Sequence, residues 1–251
     1  KYKTLNDNRG ALADFNRAIE INPQNALAYI DRGILKDSKL NDNRGALADF
    51  NRAIEINPQN ALAYYNRGIL NYKTLNDNRG ALADFNRAIE IDPQDADAYN
   101  ERGIVKYEKN DTQGALTDYS RAIEINPQNA LAYYNRGVLN YSKLNDNRGA
   151  LADYNRAIEI NPKYARAYYG RGLLKDDKLN DSQGSLSDYN RAIQLNPNDA
   201  DAYNNRSILK YEKLNDRTGA IDDMNQAAKI YQQQGDTSKY QSSIDMVKQW
   251  Q

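Results

Sequence analysis

Apolar residues return along this chain in two alternating helical rhythms, and the pair of rhythms restarts every 34 or 35 residues. In the stretch Ala61–Lys73, Ala61, Tyr64 and Gly68 share one helical face and Tyr65, Ile69 and Tyr72 share another. That spacing is the i, i+3/i+4, i+7 signature of a helix. Leu75, Asn76 and Asp77 then read as a turn, with Asp77 placed to cap the free amides of a following helix. Leu82, Phe85, Ala88 and Ile89 make one stripe of that second helix, which ends near Ile91 because Pro93 disfavours helix at the residue before it. The repeating element is therefore an αα-hairpin with two apolar stripes.

Pro23, Pro58, Pro93, Pro127, Pro162 and Pro197 close successive near-copies and lie 35, 35, 34, 35 and 35 residues apart. A period of this length predicts units that stack on their neighbours because none buries its own apolar faces. Full repeats read over 26–60, 61–95, 96–129, 130–164, 165–199 and 200–232, after a partial repeat over 1–25 and before a capping helix over 237–251. Residues 3–21 are identical to 73–91, so the chain reads as a piece of a longer array, its first complete helix (9–21) lacking a partner. The last repeat departs from the others: Met224 replaces the aromatic, Ala228 replaces isoleucine and Gln232 stands where proline recurs. In the helix that follows, Tyr240, Ile244 and Val247 form the expected apolar stripe.

Gly68 sits inside the first helix, where glycine costs about 1 kcal/mol against alanine. It recurs as Gly33, Gly103, Gly137 and Gly172, with Ser207 as the one small exception, and predicts the close approach of a neighbouring helix.

These residues, Ala61-x-Ala63-Tyr64 with Gly68, Gly80-Ala81, Phe85, Ala88 and Pro93, resemble the tetratricopeptide repeat signature. The resemblance covers nearly the whole chain. It implies an all-α, right-handed α-solenoid superhelix of antiparallel helix pairs, with first helices lining the concave surface. It also implies a protein-interaction scaffold. Two features depart from the family pattern. Most repeats carry one extra residue in the turn, the leucine at Leu40, Leu75, Leu144, Leu179 and Leu214. Arginine fills a slot where the family commonly has leucine: Arg32, Arg67, Arg102, Arg136, Arg171 and Arg206.

Each of those arginines has a counterpart on the following helix: Asp49, Asp84, Asp118, Asp153, Asp188 and Asp223, with Asp14 in the partial repeat. A half-buried guanidinium requires hydrogen bonds, and a carboxylate taken by its fork is the best partner. The expectation is an internal Arg–Asp ladder; the alternative is that the arginines grip an anionic ligand.

On the concave side implied by the resemblance, the groove candidates are Tyr65, Asn66, Tyr72, Asn100, Glu101, Tyr107, Tyr134, Asn135, Tyr141, Tyr169, Asn204 and Asn205. Tyrosines offer rigid amphipathic contact area, and asparagines offer hydrogen bonds to a peptide backbone. The assignable groove charges are Asp31, Asp37, Asp97, Glu101, Glu108, Asp176, Asp177, Asp201 and Glu212 against Lys73 and Arg166, which favours a neutral or basic peptide. The same balance speaks against the family's carboxylate-clamp mode.

Composition excludes more than it suggests. With 34 basic and 34 acidic residues there is no basic footprint for nucleic acid. No cysteine or histidine is present, which removes disulfides, thiolate nucleophiles and the usual zinc ligands. No run is long and apolar enough for a membrane span. The expectation is a cytoplasmic, non-enzymatic protein without cofactor or metal. Three functions remain open: a scaffold holding a peptide in its Tyr/Asn groove, a self-associating array or spacer, and a regulatory region of a larger protein with an enzyme domain N-terminal to it.

Overall fold

The computed structural model describes residues 7–251, and they are helical throughout apart from turns. The first six residues of the partial repeat read over 1–25 lie outside the described residues. Two compact units are separable, Lys1–Pro127 and Gln128–Gln251.

In the N-terminal unit the order is α1 (Asn8–Ile21), α2 (Ala26–Leu35), α3 (Asn43–Ile56), α4 (Ala61–Lys73), α5 (Asn78–Ile91), α6 (Ala96–Glu108) and α7 (Thr112–Ile125). Helices α2–α3, α4–α5 and α6–α7 form the antiparallel pairs, and each pair packs on the next through α3–α4 and α5–α6. In the C-terminal unit, α8 (Ala130–Leu139), α9 (Asn147–Ile160), α10 (Ala165–Asp177), α11 (Ser182–Leu195), α12 (Ala200–Glu212) and α13 (Arg217–Gln234) repeat the scheme, and α14 (Thr237–Trp250) packs on α13. The fold is an all-α helical-repeat solenoid.

Local chemistry sets the boundaries. Each second helix begins after an aspartate whose Oδ1 accepts the amide of a glycine three residues on, as in Asp42 with Gly45 and Asp77 with Gly80, both at 2.9 Å. A Cβ on Gly45 would lie 2.1 Å from the cap carboxylate, so the cap itself selects glycine there.

The extra leucine is absorbed by widening the turn. In the 34-residue repeat, Asp111 N donates to Lys106 O and Asn110 N to Tyr107 O, with Asn110 left-handed at φ 60°. This is the Schellman arrangement, with asparagine in glycine's usual place. In the 35-residue repeats the long bond spans one residue more: Asp42 N to Lys36 O, Asp77 N to Asn71 O, Asp146 N to Asn140 O, Asp181 N to Lys175 O. After α2 and α8 the widening forms a π-helical turn over Lys36–Leu40 and Asn140–Leu144. The asparagine before each cap stays left-handed in all of them, with φ from 52° to 54°.

Each core joins a helix pair to the next first helix. Ile30, Ala46, Phe50, Ala53, Ala63 and Leu70 form one such cluster, from α2, α3 and α4. The helix-interior glycines make room for the second helix's aromatic. A Cβ on Gly33, Gly68 or Gly103 would meet Phe50, Phe85 or Tyr119 at 2.7, 2.8 and 2.7 Å. Where serine stands instead, at Ser207, the facing residue is Met224, 3.9 Å from the hydroxyl.

In α14 the buried residues are Ser243, Val247 and Trp250, so of the expected Tyr240–Ile244–Val247 stripe Val247 is buried while Tyr240 and Ile244 are half-buried. Trp250 stacks on Tyr211 with ring centres 4.4 Å apart and 11° between planes.

Candidate functional site

The arginines and aspartates of the repeat meet on the inner seam of each helix pair. Arg67 donates Nε and Nη2 to the two oxygens of Asp84, at 2.9 and 2.6 Å, and the other repeats reproduce this fork: Arg32–Asp49, Arg102–Asp118, Arg136–Asp153, Arg171–Asp188 and Arg206–Asp223. The third nitrogen reaches back to the preceding repeat, Arg67 Nη1 to Asn51 Oδ1 at 2.7 Å, with Arg32–Asn16, Arg102–Asn86, Arg171–Asn155 and Arg206–Asn190 alike. Each guanidinium also lies over a tyrosine of its own helix, Arg67 over Tyr64 at 5.6 Å. The aspartate gains a further donor one turn after the arginine: Lys36, Lys106, Lys175 or Lys210 at 2.8–2.9 Å, or the amide of Asn71 or Asn140. Those asparagines and lysines were not singled out from sequence, although Asn recurs two residues after nearly every ladder aspartate. The guanidinium nitrogens are thereby committed inside the fold.

The first helices approach one another directly, α2 with α4 and α4 with α6 in one unit, α8 with α10 and α10 with α12 in the other. Their common face carries the groove candidates, and it divides them sharply. Asn100 is 2% exposed and Glu101 7%, a correction to the expectation that both line an open groove. In the slot of Asn100, which faces the neighbouring first helix, Ile30 and Asn100 are covered, whereas Tyr65, Tyr134 and Tyr169 extend past the contact and stay half-buried, as does Asn204 in the last repeat. Asn66 bonds back to its own helix, its Nδ2 donating to Leu62 O at 2.8 Å in a solvent-exposed bond.

In the N-terminal unit Tyr65 packs on Phe85 with ring centres 6.1 Å apart, and Tyr72 donates its hydroxyl to Glu108 Oε1 at 2.5 Å. Tyr107 is half-buried beside them. In the C-terminal unit Tyr134 leans on Tyr154 and Tyr164, at 6.1 and 5.2 Å. Tyr141 donates to Asp177 Oδ2 at 3.0 Å, and Tyr169 packs on Tyr189 while its hydroxyl accepts Asn205 Nδ2 at 2.8 Å. Asn204 donates to Asn205 at 3.4 Å, and Asn135 is half-buried. Burial, followed by the bond to Asp177, pushes the Tyr141 hydroxyl up to about 12; burial also raises Tyr65, Tyr72 and Tyr169. All of these hydroxyls are neutral near pH 7.

The same unit holds a polar recess of about 360 Å³ walled by Tyr134, Arg166, Tyr169, Asp199, Asp201 and Lys239. Asp201 accepts from Tyr231 at 2.6 Å and from Lys239 at 2.9 Å, which offsets its desolvation and holds it below the ordinary carboxylate range. Sequence reasoning missed Tyr231 and Lys239 because both come from the atypical C-terminal end. Among the described residues, no group of three or more acidic side chains is placed to hold a metal ion, and no helix is long and apolar enough to cross a membrane.

Comparison with known proteins decides the family. A "TPR repeat" model matches residues 38–74, 72–110, 105–143 and 141–175, and a "Tetratricopeptide repeat" model matches 2–25 and 165–199. The chain belongs to the tetratricopeptide repeat family. None of the curated proteins compared matches it. Among solved structures, it resembles YrrB, described as a TPR protein with an unusual peptide-binding site, at 26% identity and TM-score 0.58, over 75% of this chain and 95% of that one. It also resembles Pseudomonas aeruginosa PilF, at 19% identity and TM-score 0.74, over 86% of this chain and 95% of that one. Cut9–Hcn1, an APC/C hetero-tetramer, gives TM-score 0.80 at 15% identity, with 96% of this chain aligned to 46% of that chain. The latter two show the fold alone.

Proposed function

We propose that this tetratricopeptide repeat chain is a non-catalytic protein-interaction scaffold that holds an extended segment of a partner on its first-helix face. The observation that carries the reading is the tyrosine row itself. Tyr65 and Tyr72 in one unit, and Tyr134, Tyr141 and Tyr169 in the other, are half-buried rings braced by packed aromatics or fixed hydroxyl bonds. A ring already immobilised loses little entropy on binding, which is why such side chains dominate recognition surfaces. YrrB, similar in fold and sequence, is described as having a peptide-binding site, which supports the reading. The ladder arginines take no part in it, since their nitrogens are occupied by their own and the preceding repeat.

The test is a peptide-array screen with the whole chain, a Tyr65→Ala, Tyr72→Ala variant and a Tyr134→Ala, Tyr169→Ala variant. Peptides captured by the parent and lost by one variant, with helical content unchanged, place the site in that unit. Capture unaffected by both variants sinks the reading; sedimentation of the chain as a concentration-dependent oligomer would then favour self-association.

A further inference from the structure

The two units treat charge on this face differently. In the C-terminal unit three acids carry lysines: Asp176 with Lys213 at 2.6 Å, Asp177 with Lys178 at 3.1 Å and Asp201 with Lys239 at 2.9 Å. There the Tyr169 hydroxyl is met by the amide of Asn205. In the N-terminal unit the residue in Asn205's slot is Glu101, and the residue in Tyr169's slot is Tyr65.

Glu101 is 7% exposed, and its buried Oε2 has no hydrogen-bond partner. Among the described residues its ion-pair partner is Lys73, whose Nζ lies 3.3 Å from that oxygen and whose side chain is 53% exposed. Burial holds the Glu101 carboxyl above its ordinary range despite Lys73, and Asp97 adds to the effect. Glu108 lies at the exposed rim, holding the Tyr72 hydroxyl, and Asp31 and Asp37 extend the acidic surface along α2 and its π-turn. Lys39 and Lys109 are exposed at the turns. A buried carboxylate with an unfilled acceptor is expensive to maintain unless a cation with a free donor completes it. Aromatic rings beside it suit the aliphatic stem and the charge of a lysine or arginine.

We propose that the junction of α4 and α6 takes a lysine or arginine side chain from an extended segment of a partner protein in place of the exposed Lys73, with the buried Glu101 beneath it as counter-ion and Tyr65 and Tyr72 flanking its stem. Lys73 is the internal competitor for the same carboxylate. This rests on the reading of the tyrosine face as a peptide surface and adds the chemistry of what it selects.

The test uses the whole chain and three labelled decapeptides, alternating lysine–alanine, glutamine–alanine and glutamate–alanine, followed by fluorescence anisotropy. The lysine peptide should bind, with the other two weaker by about tenfold or more. Glu101→Gln should weaken the lysine peptide by about tenfold, Lys73→Ala should tighten it several-fold, and Asp222→Asn, exposed on second helix α13 of the other unit, should leave it unchanged. Equal binding by parent and Glu101→Gln, equal binding of the glutamine peptide, or no binding of the lysine peptide overturns the inference. Tyr65→Ala separates the two proposals. If it abolishes binding while Glu101→Gln does not, the tyrosine face stands and the charge selection falls; if it leaves binding intact, the tyrosine reading fails in this unit. Retained helicity and melting of each variant exclude unfolding as the cause.

Discussion

An arginine held by two oxygens of an aspartate, one asparagine and a tyrosine face is the residue-scale unit on which the repeats are built. Asp84 is 4% exposed, so removing Arg67 leaves a buried carboxylate with only the amide of Asn71. Arg67→Leu should cost about 3–5 kcal/mol in urea unfolding, whereas the double variant Arg67→Leu, Asp84→Leu should recover most of that loss, because no charge is then stranded. Glu101 makes the opposite prediction. Its native carboxyl takes up a proton more readily than in the unfolded chain, so its ionised form opposes folding at neutral pH. Acidification through its raised native value relieves that penalty, and the relief is complete below the unfolded value of about 4.3. Glu101→Gln should therefore melt higher than the parent at pH 7, with the difference closing toward pH 4; a lower melting temperature at pH 7 would contradict the burial argument.

At the scale of the element, two recurrent compromises govern the helix pair. The first is the glycine opposite the aromatic. Gly103→Ala forces a contact of 2.7 Å with Tyr119 and should cost about 1–3 kcal/mol, while Ser207→Ala, opposite the pliable Met224, should cost less than about 1.5. Equal losses at the two sites would show that helix propensity, not the aromatic, selects glycine. The second is the wide turn. Leu75 is 41% exposed, and the 34-residue repeat closes the same turn without it. Deleting Leu75 should leave the chain folded with little change in melting temperature. Asn76→Val, by contrast, places a β-branched residue at φ 53° and should cost about 1–2 kcal/mol, with Asn76→Gly nearly silent. The asparagine is the turn's fixed point, and the leucine is spare.

At the scale of a whole unit, stability is distributed over contacts between neighbouring helices, so a loss at a unit's last helix stays local. The C-terminal end is closed by Trp250, which stacks on Tyr211 while its carbonyl accepts Arg217 Nε. Trp250→Ala should cost about 3 kcal/mol. Hydrogen exchange should show the loss concentrated in α13 and α14, with α8 and α9 protected as before. Uniform loss of protection through that unit would instead mean that it unfolds as one block.

The 35-residue period, the helix pairs, the aspartate caps and the Arg–Asp partnership are all legible in the sequence. Each depends on residues near in the chain or copied from repeat to repeat, and copying amplifies a weak local signal. What tertiary structure decided is which of those residues remain available. Tyr65 and Asn100 occupy the same slot, yet one reaches past the neighbouring first helix and the other is buried by it. Helical periodicity assigns a side chain to a face of its own helix. Whether that face is open depends on the length of the side chain and on the neighbouring first helix it meets about one repeat away. The buried, half-answered carboxylate of Glu101 arises from that packing and from Lys73 one repeat earlier, and no spacing rule within a single repeat reports it.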